Sequence, residues 1–346
     1  MSGSGIVAAW LGNFGFAIFL VAAAVSLALL LLLRPLLQRY ALANPNARSS
    51  HKIPTPQGGG IGVVAATIGT VAGTSVLLTD VSDHSLWFVL AATVFIAIVG
   101  AIDDISPIPV LPRLVLQAVG VAIVLAAVPS ELRVVPALPY WLERPLLGLA
   151  ILWFVNLVNF MDGIDWMTAA ETVPVTAGLI VIGGLGALST SGVVVALALC
   201  GAVVGFAPLN RPVAKLFLGD VGSLAIGLLL AWLLVSVAGR GHIAAALLLP
   251  LYYFADATIT LFRRLARGEP IWQAHRTHFY QRAMDRGFTV MAIVGRVLAL
   301  NIALAVLAII SMYWNGTIVQ LTTLACGAAL VGWLLFTFAA RENTSS

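Results

Sequence analysis

The sequence predicts an all-α, polytopic integral membrane protein of about eleven transmembrane helices. Three observations carry that prediction. Apolar runs of about 20 residues recur along the 346-residue chain, each long enough to cross a hydrocarbon core of ~30 Å. Hydrophobic residues make up 61 % of the chain and charged residues 9 %, with a mean hydropathy of +1.04, which leaves too little polar surface for a water-soluble exterior. The few charges gather between the runs, where loops reach water. One membrane domain over 1–346 is expected, with no separate soluble domain and with its distinctive motifs between about 44 and 286.

The expected spans are 13–33, 59–79, 86–102, 113–129, 145–160, 172–190, 193–208, 222–239, 243–262, 289–311 and 317–338. The first follows no Lys or Arg and is longer than the apolar core of a signal peptide, so it reads as a retained helix that starts outside. The second opens on Gly58-Gly59-Gly60 and the third ends on Asp103-Asp104. The spans 86–102 and 193–208 are short and flanked by Gly or Pro. An odd number of spans puts the termini on opposite sides. With the N-terminus outside, the inner loops are about 34–58, 103–112, 161–171, 209–221 and 263–288, and all of the 18 basic residues except Arg133, Arg144 and Arg240 lie in or beside those loops or the tail. The positive-inside rule selects that orientation, with the motif loops in the cytoplasm.

The same rule removes nucleic acid from the expected partners. A net charge of +4 and a pI near 9.4 follow from topology and from contact with membrane lipids. The two cysteines, Cys200 and Cys326, sit inside apolar runs and form neither a disulfide framework nor a metal pair. Asp80, Asp83 and Glu131 on the outer side are scattered and carry no chemistry.

The inner loops differ. The first reads Ser-Ser-His51-Lys52-Ile-Pro-Thr55-Pro-Gln-Gly-Gly-Gly60; prolines extend the path and glycines allow close backbone approach, so Lys52 could meet a phosphate, or the stretch is simply a Gly-rich helix start. In the second, Asp103 and Asp104 end an apolar run, where unpaired carboxylates are costly; neighbours on a helix point about 100° apart and serve different partners. In the third, Asn159, Asp162 and Asp165 recur every third residue, a spacing that in helical geometry lines one face with oxygen donors of the kind Mg²⁺ or Mn²⁺ takes. In the fourth, Asn210 and a basic segment lead into Gly219-Asp220-Val-Gly-Ser, with Asp220 at a helix start whose free N–H groups also favour anions; an ordinary N-cap is the alternative. The fifth centres on His275-Arg276-Thr-His278, a set suited to diphosphate rather than zinc, or a plain basic juxtamembrane loop. Asp256, within the ninth span, is either functional or paired with an inner-loop base.

Taken together, S-S-H-K-I-P-T-P-Q-G-G-G, D-D, N-F-M-D-G-I-D, F-L-G-D-V-G-S and A-H-R-T-H resemble the polyprenyl-phosphate N-acetylhexosamine-1-phosphate transferases, in family order and on one side of the membrane. The resemblance covers Asn44 to about Arg286. It implies transfer of a sugar-1-phosphate from a UDP-N-acetylhexosamine to undecaprenyl phosphate with release of UMP. It implies Mg²⁺ at Asp220, with Mn²⁺ as the alternative ion, catalytic carboxylates at Asp103, Asp104, Asp162 and Asp165, and substrate contacts from Lys52, Thr55, Asn159, Asn210, His275, Arg276 and His278. The last motif lacks the histidine run of the cell-wall translocase, which points to the branch that initiates O-antigen or exopolysaccharide repeats, with GlcNAc, QuiNAc or FucNAc as the sugar and MurNAc-pentapeptide disfavoured. Trp166 stands where the family has a small residue. A homodimer is compatible with the sequence. A secondary transporter would instead carry midplane charges and inverted repeats, and a CDP-alcohol phosphotransferase would carry a D-G-x-x-A-R motif; neither pattern is visible.

Overall fold

The computed structural model describes residues 11–43, 54–77, 84–270, 275–314 and 316–340. After a π-helical turn at Leu11–Gly15 the chain forms α1 (Phe16–Tyr40), α2 (Gly60–Leu77), α3 (His84–Ile105), α4 (Val110–Ala127), α5 (Tyr140–Met161), α6 (Met167–Gly184) and α7 (Thr190–Phe206). It continues through α8 (Asp220–Ala238), α9 (Ile243–Leu248), α10 (Leu251–Ala266), α11 (Phe279–Asp285), α12 (Val290–Tyr313) and α13 (Thr317–Ala339). Two short strands, β1 (Leu42–Ala43) and β2 (Thr55–Pro56), pair antiparallel with Ala43 opposite Thr55. Among the described residues 9 helices are long and apolar enough to cross a membrane, and the protein is a multi-pass, all-α membrane protein.

The helix α8 is apolar on every face and forms the central post. Within its most apolar stretch 94 % of the residues are buried, against 22 % in α1, as expected when one helix is surrounded by others and another faces lipid. It packs against α2, α3, α5, α6, α7 and α9. Around it, α1 packs on α2 and α7, and α12 packs on α6, α9 and α13. The outer surfaces expose large apolar side chains such as Phe16, Leu32, Trp333 and Phe336, which suits hydrocarbon.

Two of the expected spans take a different form. The stretch 193–208 is the 17-residue α7, at the short end of what a crossing needs and buried along most of its length. The stretch 243–262 breaks at Pro250 into α9 and α10, because proline supplies no N–H to the helix ladder and itself leaves helical geometry, with φ -96° and ψ 17°. The second piece is strongly two-sided. Tyr252, Tyr253, Asp256, Thr260 and Arg264 face inward, while Phe254, Phe262 and Leu265 are exposed. Asp256 thus lies on the polar face of a short amphipathic helix and not inside a continuous apolar span.

At the end of the bundle away from the motifs, Arg133 pairs with the carboxylate of buried Glu143, whose other oxygen accepts the Val135 N–H at 2.8 Å. Arg144 donates to the Pro129 carbonyl at 2.6 Å, and both guanidiniums lie over the Tyr140 ring. Of the three basic residues that stand apart from the inner loops, Arg133 is therefore neutralised by Glu143 and Arg144 is held by backbone carbonyls and the Tyr140 ring.

At the motif end, α2 and α3 approach the first turn of α8 as closely as backbones allow. A Cβ on Gly60 would lie 2.2 Å from the Gly222 Cα, and one on Gly100 would lie 2.4 Å from the Asp220 carbonyl oxygen. Gly60→Ala is therefore expected to lower stability by about 1–3 kcal/mol, the usual cost of overpacking. Gly69→Ala, in the same helix with nothing within 4 Å of the added carbon, is expected to be neutral or stabilising by up to ~1 kcal/mol. Thermal unfolding of the two variants in detergent micelles checks this; equal melting temperatures would remove the close-approach argument.

Candidate active site

The site is built from helix ends. Asp104, at the C-terminal end of α3, accepts the Asp220 N–H at 2.8 Å on one carboxylate oxygen and the Val221 N–H at 3.1 Å on the other. Gln57, beside β2, donates its side-chain amide to the same carboxylate. Asp104 thereby caps α8 from another helix, and Gly219 makes room for it: its φ is +78°, and a Cβ there would sit 2.5 Å from Asp104 Oδ2. The Gly222 and Ser223 N–H groups return to the Gly219 carbonyl at 3.0 Å. The start of α8 is consequently closed to an outside anion, contrary to the expectation of free N–H groups there, because the chain's own carboxylate has taken the first two.

The adjacent carboxylates do serve different partners. Asp103 accepts the Ile108 N–H at 2.6 Å and an Arg113 Nη1–H at 2.8 Å, which ties the α3–α4 turn together. Arg113 keeps a buried Nε without a partner among the described residues. Asp220 faces Asp103 and Asp104 and accepts the Asn159 Nδ2–H at 2.8 Å; the same amide lies 2.9 Å from Ser223 Oγ. Three helix ends far apart in sequence, those of α3, α5 and α8, therefore place Asp103, Asp104, Asn159 and Asp220 together.

The third motif does not line one helical face as its spacing suggests. The helix α5 ends at Met161, and the chain turns through Gly163 and then Trp166, whose φ of 64° is left-handed. That conformation costs a non-glycine residue about 1–2 kcal/mol. The Trp166 backbone N–H donates to Asn210 Oδ1 at 2.8 Å and its indole donates to the Ala207 carbonyl at 2.6 Å, which offsets the strain and explains why a small residue is the easier choice there. Asp162 takes the Thr168 hydroxyl, and Asp165, buried, accepts the Ala214 N–H at 3.0 Å. Asn210 spends its Nδ2 on the Leu216 carbonyl at 3.0 Å. Asp165 and Asn210 thus lock the third and fourth loops to each other. Removal from water pushes the Asp162 carboxyl up to about 7; the Thr168 hydroxyl opposes the rise, and the charges of Asp104 and Asp165 add to it.

The first and fifth loops frame this core. Lys52 lies outside the described residues. Thr55 is buried in β2, and the strand continues into bonds from Phe217 N to Pro56 O and from Gly59 N to Phe217 O, both 2.8 Å, which fasten the first loop to the fourth. In the fifth loop, His278 is buried, with Nδ1 3.2 Å from Asp256 Oδ1 and its ring stacked on Tyr280. The Tyr280 hydroxyl donates to the Phe160 carbonyl at 3.2 Å and occupies the space a Gly163 side chain would need, 2.0 Å from its Cβ position. His275 lies against His278 with ring centroids 5.0 Å apart, and Arg276 pairs with Asp285 at 3.2 Å.

Several of these residues escape a reading of loops alone. Arg113 counts in the sequence only as one more inner-face base. Gln57 lies within the first motif but draws no notice beside its prolines and glycines, and Thr168 and Tyr280 carry no motif signal. Glu171, buried within α6 and bonded to Asn301 Nδ2 at 2.7 Å, shows a signal that could have been used, since an acid inside an apolar run demands a partner.

Comparison with known proteins identifies the family. The family model described as glycosyl transferase family 4 matches residues 86–238, the segment from α3 through α8. A "Decaprenyl-phosphate N-acetylglucosaminephosphotransferase" of Mycobacterium tuberculosis (strain ATCC 25618 / H37Rv) is 30 % identical over 283 residues, covering 71 % of this chain and 70 % of the relative. The chain belongs to this family of polyprenyl-phosphate hexosamine-1-phosphate transferases. A "Probable undecaprenyl-phosphate N-acetylglucosaminyl 1-phosphate transferase" of Bacillus subtilis (strain 168) is 28 % identical over 290 residues, 78 % of each chain. A "Phospho-N-acetylmuramoyl-pentapeptide-transferase" of Symbiobacterium thermophilum is 34 % identical over 244 residues, 62 % of this chain and 72 % of the relative.

Asp162 yields a prediction of its own. An acid raised from 3.8 to about 7 in the folded protein holds a proton that the unfolded chain has already released, so its contribution to stability is present at low pH and lost as pH rises. Without divalent ions, Asp162 is expected to contribute a fall in stability between about pH 4 and pH 7, and Asp162→Asn is expected to make the slope over that window shallower. Melting temperatures across this range in chelator-treated detergent solution check it; an identical slope in the variant would contradict the assignment.

Proposed function

We propose that this enzyme transfers an N-acetylhexosamine-1-phosphate from a UDP-sugar of the GlcNAc, QuiNAc or FucNAc type to undecaprenyl phosphate, releasing UMP, as the first membrane step of a surface polysaccharide. The observation that carries the reading is the meeting of Asp103, Asp104, Asn159 and Asp220 from three helix ends at the basic end of a membrane bundle of this family. The relatives named for undecaprenyl- and decaprenyl-phosphate N-acetylglucosaminyl transfer support the reaction class. The basic loops support a cytoplasmic face of the plasma membrane, where a water-soluble nucleotide sugar and a lipid phosphate can meet.

In this reading an oxygen of the lipid phosphate attacks the sugar-bearing phosphorus of the donor. The new P–O bond makes the lipid diphosphate sugar, and the bond from that phosphorus to the bridging oxygen breaks, so that UMP leaves with the electron pair. A phosphate has a second pKa of about 6 and needs little activation near neutrality, which favours direct attack over an aspartyl intermediate. The residues fit a divalent cation. Among the described residues no group of three or more His, Cys, Asp or Glu forms a ready-made cage, but Asp220 and Asp103 face each other as hard oxygen donors, and Mg²⁺ commonly takes only one or two carboxylates beside substrate phosphates. Asp220 would hold Mg²⁺ (or Mn²⁺) with Asp103 beside it, and the ion would supply neutralisation of the diphosphate charge.

The chain's own residues divide the remaining work. Asp104, committed to the α8 cap, positions Asp220. Asp103 and Arg113 stand together at the mouth of α3 and α4, where the guanidinium offers charge to the lipid phosphate and the carboxylate can hold its proton. Asp162, Asp165 and Asn210 shape the nucleotide side. Lys52, Thr55, His275, Arg276 and His278 hold phosphate or sugar.

The muramoyl-pentapeptide transferase reading is favoured by relatives of that name, but A-H-R-T-H-F-Y replaces a histidine run. Incubating purified protein, Mg²⁺ and undecaprenyl phosphate with UDP-GlcNAc, UDP-QuiNAc, UDP-FucNAc and UDP-MurNAc-pentapeptide decides between them. UMP is expected from at least one of the first three and not from the last, and Asp220→Asn is expected to cut its release by about 100-fold or more. Full activity in Asp220→Asn, or UMP from the pentapeptide donor alone, would contradict the proposal.

A further inference from the structure

Asp256 belongs to none of the motif loops, yet it is the most heavily bonded acid of the described residues. It is fully buried on the inward face of α10. Its Oδ1 lies 3.2 Å from His278 Nδ1 and accepts the Phe279 N–H at 3.0 Å and the Thr260 hydroxyl at 3.3 Å. Its Oδ2 accepts the Tyr252 hydroxyl and the Tyr280 N–H, both at 3.3 Å. A carboxylate held this deeply is tolerable only with such a set of donors. The sequence offered an inner-loop Arg or Lys as its structural partner. The structure supplies instead an imidazole and the first N–H groups of α11.

We propose that Asp256 is a positioning residue for His278, fixing the ring through Nδ1 so that Nε2 is presented to the diphosphate or sugar of the donor. The inference rests on the transferase reading above and deepens it. Two constraints define the ring. Asp256 takes Nδ1, which makes Nδ1 the protonated nitrogen, and the face of the ring stacks on Tyr280 with centroids 5.8 Å apart and planes 19° apart. The His278 backbone N–H is itself held by Gln281 Oε1 at 3.3 Å. Among the described residues no partner takes Nε2, so it is the ring atom left for a molecule from outside. Tyr280, anchored by Asp256 through its backbone, reaches the Phe160 carbonyl two residues before Asp162. A single buried carboxylate therefore sets both the orientation of His278 and the seat of α11 on the third loop. An acid orienting a histidine that meets substrate is a general way to select its tautomer and direction.

A double-mutant cycle in the full chain tests the inference. Asp256→Asn is expected to lower kcat by about 10–100-fold, the range associated with losing an orienting partner, and His278→Ala by at least as much. The double variant is expected to be no slower than His278→Ala alone, since the Asn side chain keeps an oxygen for the α11 N–H groups and the ring it would orient is already gone. Losses that multiply, or wild-type kcat in Asp256→Asn, would overturn the proposal. Nitrogen-15 NMR of histidine-labelled protein reads the pair without any turnover. The His278 resonance, identified by its absence in His278→Ala, is expected to report a protonated Nδ1 and to shift in Asp256→Asn; an unmoved resonance would overturn it. Should the wild type release no UMP from any donor, the transferase reading fails while the NMR result still stands on its own. If Asp256→Asn does not accumulate, Asp256→Ser, which keeps an acceptor for the Phe279 N–H, takes its place in both measurements.

Discussion

The rest of the site depends on one interaction, the capping of α8 by the Asp104 carboxylate. The first N–H groups of a helix need acceptors, and inside a membrane bundle water is a poor source of them. Here the acceptor comes from the end of α3, so the bond that satisfies α8 also fixes where α3 stops. Asp220 follows immediately and is carried to Asp103 and Asn159 by that joint. Gly60 and Gly100 have no room for a side chain because the backbones of α2 and α3 meet that of α8 there, and Gly219 leaves space for the Asp104 carboxylate itself. Chemistry and packing are therefore the same constraint at this end of the bundle: the carboxylates sit together because the helix ends must be satisfied.

Much of the fold was legible in the sequence because bilayer thickness dictates helix length. The run 13–33 became Phe16–Tyr40 and 317–338 became Thr317–Ala339, with ends off by a few residues where Arg and Tyr extend the helix into the interface. What hydropathy missed was the break at Pro250. The residues on either side are apolar enough to average into one span, and only the proline and the inward spacing of Tyr253, Asp256, Thr260 and Arg264 separate a crossing helix from an amphipathic one.

The site was legible as a set of motifs and less so as a geometry. Asp103 and Asp104 were separable because adjacent residues on a helix diverge. The three-residue spacing of Asn159, Asp162 and Asp165 misled, because α5 ends at Met161 and a left-handed Trp166 redirects the chain. Asp165 turns out to hold the Ala214 N–H and Asn210 the Leu216 carbonyl, bonds to backbone that no spacing rule reveals. Long-range pairs such as Asp104 with Val221, or Asp256 with Phe279, join segments that a linear reading keeps apart.

The fourth and fifth loops show how the bundle turns buried acids into organisers. Asp165 closes one loop on another, and Asp256 caps α11 and grips His278. Each places a loop segment by bonding backbone N–H groups, as Asp104 does at α8, which leaves Asp220 for the substrate and the ion. The central claim is that Asp104 assembles the ion site by holding α8, without needing to touch the ion. Titration of bound Mn²⁺ by electron paramagnetic resonance in wild type and Asp104→Ala tests this most directly. The account predicts that Mn²⁺ binding weakens at least about tenfold in the variant although Asp220 and Asp103 are intact, as a few broken bonds at ~1.4 kcal/mol per factor of ten would give. Unchanged Mn²⁺ affinity in a folded Asp104→Ala protein would contradict it.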